Sequence, residues 1–100
     1  MTEIRKIKSA DGAILFGSVL NNQEQARDID VLFITDSKRI KKLKKEIERI
    51  NHLNLKKIHP LFQSGEDLKN NILKEDKVIL NAIKGFIVFG EEKFIELVEE

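Results

Sequence analysis

Two short stretches of this chain decide its fold: Ala13-Ile14-Leu15-Phe16-Gly17-Ser18 and, after nine intervening residues, Asp28-Ile29-Asp30-Val31-Leu32-Phe33-Ile34-Thr35. The first is a continuous apolar run that stops abruptly at its glycine and serine, as a buried strand does when it enters a turn. The second begins with acidic and apolar residues in alternation, which is typical of a strand with two different faces. Both stretches are therefore predicted to be strands.

The second strand is expected to carry two carboxylates on one of its faces. Alternation sends Ile29, Val31 and Phe33 to one side, and Asp28, Asp30, Leu32 and Ile34 to the other. The Cα atoms of two acids at i and i+2 lie about 7 Å apart, and such side chains can converge on one or two divalent ions. Because an unpaired buried charge is costly, a half-buried strand is not expected to hold Asp30 without a use for it.

The turn after the first strand has the features of an anion site. Gly17 allows a sharp bend because no Cβ is in the way, and Ser18 is expected at a helix N-terminus, where free N–H groups and a hydroxyl attract anions. Alone, each half has an ordinary explanation, namely a plain turn or a solvated strand end. Together, an anion site and a facing carboxylate pair provide the groups that bind a nucleotide with its magnesium ion.

The remaining patterns complete a mixed fold. They predict a short helix or lead-in at residues 2–9, a turn or short helix at 19–27, an amphipathic helix ending near 51, a strand at 55–62, helices at 64–73 and 76–82, an edge strand at 86–89, and a last helix that buries Phe94, Leu97 and Val98. Asp36 and Ser37 are N-cap candidates for the amphipathic helix. This element order predicts an α+β (mixed α/β) fold, in which helices flank a small mixed, mostly antiparallel sheet.

Composition excludes several classes of protein. The chain has 100 residues, 41% of them apolar, and a net charge of +1, so we expect one globular domain over residues 1–100. It contains no cysteine, which excludes disulfides and thiolate zinc sites. No apolar run approaches the ~20 residues that span a bilayer, and residues 1–10 lack the apolar region of a signal peptide. We therefore expect a cytoplasmic protein without membrane contacts.

The two decisive stretches also resemble a known family signature. The pattern Gly17-Ser18, nine residues, Asp28-Ile29-Asp30, between the apolar residues 14–16 and 31–33, is similar to that of the polymerase-beta-like nucleotidyltransferase superfamily. The strand ending at Pro60, the helix start at residues 64–67 and the segment at 85–90 resemble its small prokaryotic members. The resemblance covers almost the whole chain and implies the nucleotidyltransferase fold.

The resemblance also implies an activity and its residues. Members transfer a nucleoside monophosphate, here expected to be AMP from ATP or another nucleoside triphosphate, to a hydroxyl of a protein or nucleic-acid acceptor. By that resemblance Gly17 and Ser18 would bind the triphosphate, and Asp28 and Asp30 would be catalytic and ligate Mg²⁺. Small members of this kind often act as antitoxins of a helical HEPN-type partner protein, some by adenylylating it.

One departure from the family pattern concerns the metal site. Active members usually carry a third carboxylate on the strand after the long helix, whereas residues 55–62 contain no acid. Lys57 or His59 lies near the expected position and could act as a base, although each is more commonly a solvated strand side chain. Glu66 and Asp67 follow closely, but their charges suit the start of a helix.

Two basic features leave alternatives open. Arg27 stands where many members have serine, and it could contact a phosphate or merely offset the charges of the two aspartates. Six of the eight residues from Lys38 to Lys45 are basic, which could serve RNA or a triphosphate tail. A solvated helix face is the simpler reading and nucleic acid is not favoured, because no aromatic residues are interleaved for base stacking.

Two hypotheses from different classes therefore remain. The first is a Mg²⁺-dependent nucleotidyltransferase. The second is a catalytically weak or inactive domain of the same fold that binds or scaffolds a partner, and the absent third carboxylate favours it. The sequence leaves the oligomeric state open.

Overall fold

The computed structural model describes residues 2–17 and 28–99. In this part of the chain the elements are α1 (Thr2–Arg5), β1 (Gly12–Phe16), β2 (Asp28–Ile34), α2 (Ile40–Leu53), β3 (Lys57–Gln63), α3 (Gly65–Leu73), α4 (Lys77–Ala82), β4 (Phe86–Phe89) and α5 (Glu91–Glu99). The order agrees with the sequence prediction, and the α+β class is confirmed. The predicted turn or short helix at 19–27 lies outside the described residues.

The four described strands form one mixed sheet in the order β3-β2-β1-β4. β1 pairs antiparallel with both β2 and β4, whereas β2 and β3 are parallel. A parallel pair needs a crossover connection, and α2 supplies it between β2 and β3. The sheet is therefore mixed and mainly antiparallel, as predicted.

Helices cover both faces of the sheet and create two hydrophobic cores. Ile29, Val31 and Phe33 of β2 pack with Leu43 and Ile47 of α2 in the first core, which also contains residues from α1. Leu32 and Ile34 point the other way, into a core with Leu68 of α3, Ile79 and Ala82 of α4, and Phe94 of α5. The predicted division of β2 into two faces is confirmed.

The start of α2 differs from the prediction. The helix begins at Ile40, and its N-cap residue Arg39 makes no side-chain cap hydrogen bond. Asp36 instead accepts hydrogen bonds from the backbone N–H groups of Lys38 and Arg39, so it stabilises a turn that precedes the helix. Ser37 lies within this turn and is not the N-cap, because the helix starts three residues later.

The end of α5 is also corrected. Phe94 is buried and Leu97 packs against the second core, as expected, but Val98 is 53% exposed. One face of the helix packs against the fold, where Leu97 lies against Gly65 at the start of α3. Val98 lies on a part of the helix surface that no element of residues 2–17 or 28–99 buries.

The outer strand β3 is protected by side chains. β3 stands at the end of the sheet order, and an outer strand of this kind tolerates the proline at position 60. Asn51, near the end of α2, donates to the carbonyl of Ile58 at 3.2 Å and accepts from its N–H at 2.6 Å. The asparagine side chain thus occupies the backbone groups of Ile58 that a further strand would bind, which lowers the tendency of this part of the edge to pair with another chain.

Candidate functional site

Sheet topology brings three strand ends together. Because β1 and β2 are antiparallel, the end of β1 at Phe16 lies beside the start of β2, and Phe16 is the register partner of Asp30. Because β2 and β3 are parallel, their starts are also adjacent, and Asp30 is the register partner of His59. The turn residue Gly17 follows Phe16 directly. One end of the sheet therefore gathers the glycine turn, the acidic pair and His59.

Gly17 and Asp30 are in direct proximity. Gly17 has a φ of +78°, a backbone conformation that favours glycine over other residues. A Cβ placed on Gly17 would overlap Oδ2 of Asp30. The glycine therefore fits the position in two ways, because it adopts the required φ and leaves room for the carboxylate.

The other carboxylate oxygen of Asp30 faces β3. Nδ1 of His59 lies 3.2 Å from Oδ1 of Asp30, so the pair is joined by a hydrogen bond or, when the imidazole is protonated, by an ion pair. The side chain of Asp30 is 29% exposed and that of His59 75% exposed. Asp30 is thus half-buried between the Gly17 turn and an imidazole that faces solvent.

Lys57, the other candidate on β3, is used elsewhere. Its ammonium group donates hydrogen bonds to the carbonyl oxygens of Asn51 and Asn54, where α2 ends. Carbonyl groups at a helix C-terminus attract cations, so this lysine stabilises the C-terminal end of α2. Of the two β3 residues proposed as bases, only His59 contacts an aspartate of the candidate site.

Asp28 and Phe16 complete the described part of the site. Asp28 is exposed at the first position of β2, and alternation puts it on the same face as Asp30. Phe16, which the sequence analysis did not single out, packs partly against the second core and lies beside Asp30 in register. Strand geometry carried this signal, because side chains two residues apart share a face and Phe16 therefore lies on the face of Ile14.

Two of the predicted site residues have no described position. Ser18 and Arg27 lie outside the residues that the structure describes, so their proximity to Asp30 remains a prediction. Within residues 2–17 and 28–99, no three acidic or histidine side chains come close enough together to hold a metal ion by themselves. Any cation at Asp30 would thus need ligands from outside this set, such as phosphate oxygens.

The basic run of α2 lies away from the site. α2 packs on the face of Val31 and Phe33, whereas Asp30 alternates onto the opposite face. The run also starts after the C-terminal end of β2, while the aspartates lie at its N-terminal end. Lys38 to Lys45 are therefore poorly placed for the triphosphate tail that the sequence allowed.

A separate cluster of charge interactions lies at the opposite end of β1 and β2. Arg39 donates two hydrogen bonds of 2.9 Å to Asp11 and a third of 2.9 Å to Asp36. These hydrogen bonds from Arg39 lower the pKa of both carboxyl groups and raise that of the guanidinium. Perturbed pKa values often mark functional sites, but here complete pairing identifies a structural ion pair that joins the start of β1 to the turn before α2.

Comparison with known proteins agrees with this geometry. A family model described as "Polymerase beta, Nucleotidyltransferase" matches residues 2–84, which include the glycine turn, the aspartate pair and β3. Searches among curated proteins and solved structures gave no significant match. No helix in the described ranges is long and apolar enough to cross a membrane. The match spans most of the chain, and the chain therefore belongs to the polymerase beta nucleotidyltransferase family.

Proposed function

We propose that this protein binds Mg²⁺–ATP and transfers AMP to a hydroxyl group of a protein or nucleic-acid acceptor. The observation that supports this most directly is the placement of Asp30. One of its oxygens faces Gly17 and the other faces His59, at the end of the sheet where β1 enters its turn. Family membership supplies the class of reaction, and ATP, magnesium and the acceptor belong to the proposal.

The donor groups suit this role. Asp28 and Asp30 offer carboxylate oxygens, the ligands that Mg²⁺ prefers, and the exposure of Asp28 leaves it accessible to a bound metal nucleotide. Gly17 keeps the backbone free of a side chain beside Asp30, so a phosphate chain can approach both. Ser18 would contribute a hydroxyl group that hydrogen-bonds to this phosphate chain. When bound, the cation offsets phosphate charge and orients the triphosphate for attack.

The proposed step is an in-line displacement at the α-phosphorus. The acceptor hydroxyl oxygen forms a bond to that phosphorus, the bond from the α-phosphorus to the bridging oxygen breaks, and pyrophosphate leaves with the electron pair. The hydroxyl proton passes to a base or to solvent. Asp28 and Asp30 act by holding the cation and thus the geometry of this displacement.

We further propose that the acceptor is bound in trans, with a helical HEPN-type protein as the expected partner and a role as its cytoplasmic antitoxin. An exposed apolar surface supports partner binding: Leu53 is 76% and Leu55 101% exposed, and both line a groove with Ile29, Ile50 and Ile58. Exposed apolar surface of this kind commonly marks protein contacts. It lies on the face of the sheet opposite Asp30.

Two labels test the transferase proposal. The protein is incubated with Mg²⁺, a candidate HEPN-type partner protein, and ATP labelled at either the α- or the γ-phosphate. We expect transfer of the α label alone, because pyrophosphate carries the γ label away. Asp30→Asn should abolish labelling, whereas Glu66→Gln, which changes an exposed acid in the first turn of α3, should not. Transfer of the γ label, or undiminished labelling in Asp30→Asn, contradicts the proposal.

The alternative is an inactive domain that neutralises or scaffolds its partner. Two observations favour it, namely the absence of a carboxylate on β3 and the absence of a three-ligand metal group among the described residues. This alternative predicts a tight, unmodified complex that persists in Asp30→Asn and weakens when Leu55 is replaced by a charged residue. Size-exclusion chromatography of the two proteins, followed by mass measurement of the partner, distinguishes the two functions.

A further inference from the structure

We propose that His59 is a metal ligand beside Asp30, and that its nitrogen makes the cation site of this chain favour Mn²⁺ over Mg²⁺ more strongly than oxygen ligands alone would. This inference rests on the proposed function, because it concerns the cation that accompanies the nucleotide. It starts from the one polar side chain of β3 that contacts Asp30.

The separation of the two donor atoms fits a shared cation. Nδ1 of His59 and Oδ1 of Asp30 are 3.2 Å apart. Two neighbouring ligands of an octahedral ion with bonds of about 2.1 Å lie about 3 Å from each other. A cation can therefore replace the hydrogen bond between the two side chains with little movement of either, provided that Nδ1 carries no proton.

The surroundings allow this exchange. His59 is 75% exposed and Asp30 29% exposed, so a cation can reach the pair from solvent. Oδ2 of Asp30 faces the Gly17 turn, which leaves Oδ1 for a cation on the β3 side. The described residues contain no group of three protein ligands, and two protein ligands alone make a weak cation site. Nucleotide phosphates would supply further oxygens.

Ligand chemistry sets the metal preference. Mg²⁺ prefers oxygen ligands and gives up its water reluctantly. Mn²⁺ also suits oxygen ligands, but it is a first-row transition metal, and these metals bind sites that contain nitrogen, Mn²⁺ being the weakest binder of the series. A site in which the imidazole nitrogen of His59 takes the place of one oxygen ligand should therefore lose affinity for Mg²⁺ relative to Mn²⁺. Replacement of the imidazole by a carboxylate should reverse this effect.

The test measures ATP binding by calorimetry in Mn²⁺ and in Mg²⁺ for the full chain and three variants. We expect the affinity for ATP in Mn²⁺, divided by the affinity in Mg²⁺, to fall about tenfold in His59→Ala and in His59→Asp. Mg²⁺-dependent binding should be strengthened in His59→Asp. His52→Ala, at a histidine in the last turn of α2, is the matched control and should leave the ratio unchanged. A ratio that is the same in all four proteins overturns the inference.

A spectroscopic measurement detects the bond itself. Protein labelled with ¹⁵N-histidine is mixed with Mn²⁺ and ATP, and pulsed electron paramagnetic resonance is used to look for ¹⁵N coupling to the manganese. Coupling should be present in the wild type and in His52→Ala, and absent in His59→Ala. If nucleotide binds but the wild type shows no ¹⁵N coupling, His59 is not a ligand and the proposed function stands. If no nucleotide binds with either metal, the proposed function itself fails.

Discussion

At the residue scale, Gly17 combines an unusual backbone conformation with close proximity to Asp30 of the candidate site. Its φ of +78° and the overlap of any added Cβ with Oδ2 of Asp30 both oppose substitution. Gly17→Ala should therefore lower the free energy of unfolding by about 1–2 kcal/mol and weaken Mg²⁺–ATP binding at the same time. Urea denaturation and calorimetry measure the two effects.

Gly65→Ala is the matched control for that substitution. Gly65 lies in the first turn of α3, and its added Cβ would meet only the flexible end of Leu97, at 3.2 Å. Alanine is the better helix former, so stability and nucleotide binding should be nearly unchanged. Equal losses in the two variants would show that Gly17 has no special relation to Asp30.

At the element scale, Glu46 of α2 binds the segment that follows α1 through hydrogen bonds. Its two carboxylate oxygens accept hydrogen bonds from the backbone N–H groups of Lys8, at 3.0 Å, and of Ser9, at 3.1 Å. Burial acts to raise the pKa of Glu46. A hydrogen bond from the Ser9 side chain, those from the two backbone N–H groups and the charge of Arg49 outweigh it, and the pKa lies below its usual value. The ionised form is therefore the one that stabilises the folded protein.

This pKa direction predicts how stability depends on pH. A lowered pKa means that the contribution of Glu46 is fully present above the ordinary value of 4.5 and is lost as the pH falls through the lowered one. At pH 7, Glu46→Gln should lower the free energy of unfolding by about 1 kcal/mol. The difference from the wild type should shrink below pH 4.5, while exposed Glu48→Gln should match the wild type throughout. A difference that is independent of pH would contradict this role.

The elements also show what a single sequence can and cannot predict. Apolar alternation fixed the two faces of β2, since burial of Ile29, Val31 and Phe33 leaves only one side for the aspartates. Contacts that depend on strand register were not predictable, because nothing in residues 55–62 says that His59 pairs with Asp30 and that Lys57 turns back to α2. Exposure of Val98 was missed for a similar reason, because helical spacing does not show how far a neighbouring element extends.

At the scale of the whole molecule, the sheet separates the basic helix from the candidate site. α2 lies on one face and the aspartates on the other. We therefore expect the double variant Lys41→Gln/Lys45→Gln to bind Mg²⁺–ATP within about twofold of the wild type at constant ionic strength. A larger loss, or nucleic-acid affinity that collapses with salt and disappears in this variant, would assign α2 to a phosphate-binding role instead.

The central claim is that the half-buried carboxylate between Gly17 and His59 holds a metal-bound nucleotide. Calorimetric titration of the full chain with ATP, with and without Mg²⁺, tests it most directly when Asp30→Asn and Glu66→Gln are measured beside the wild type. We predict saturable, Mg²⁺-dependent binding that is at least about tenfold weaker in Asp30→Asn and unaltered in Glu66→Gln. Binding that needs no divalent cation, or equal binding by wild type and Asp30→Asn, would contradict the account.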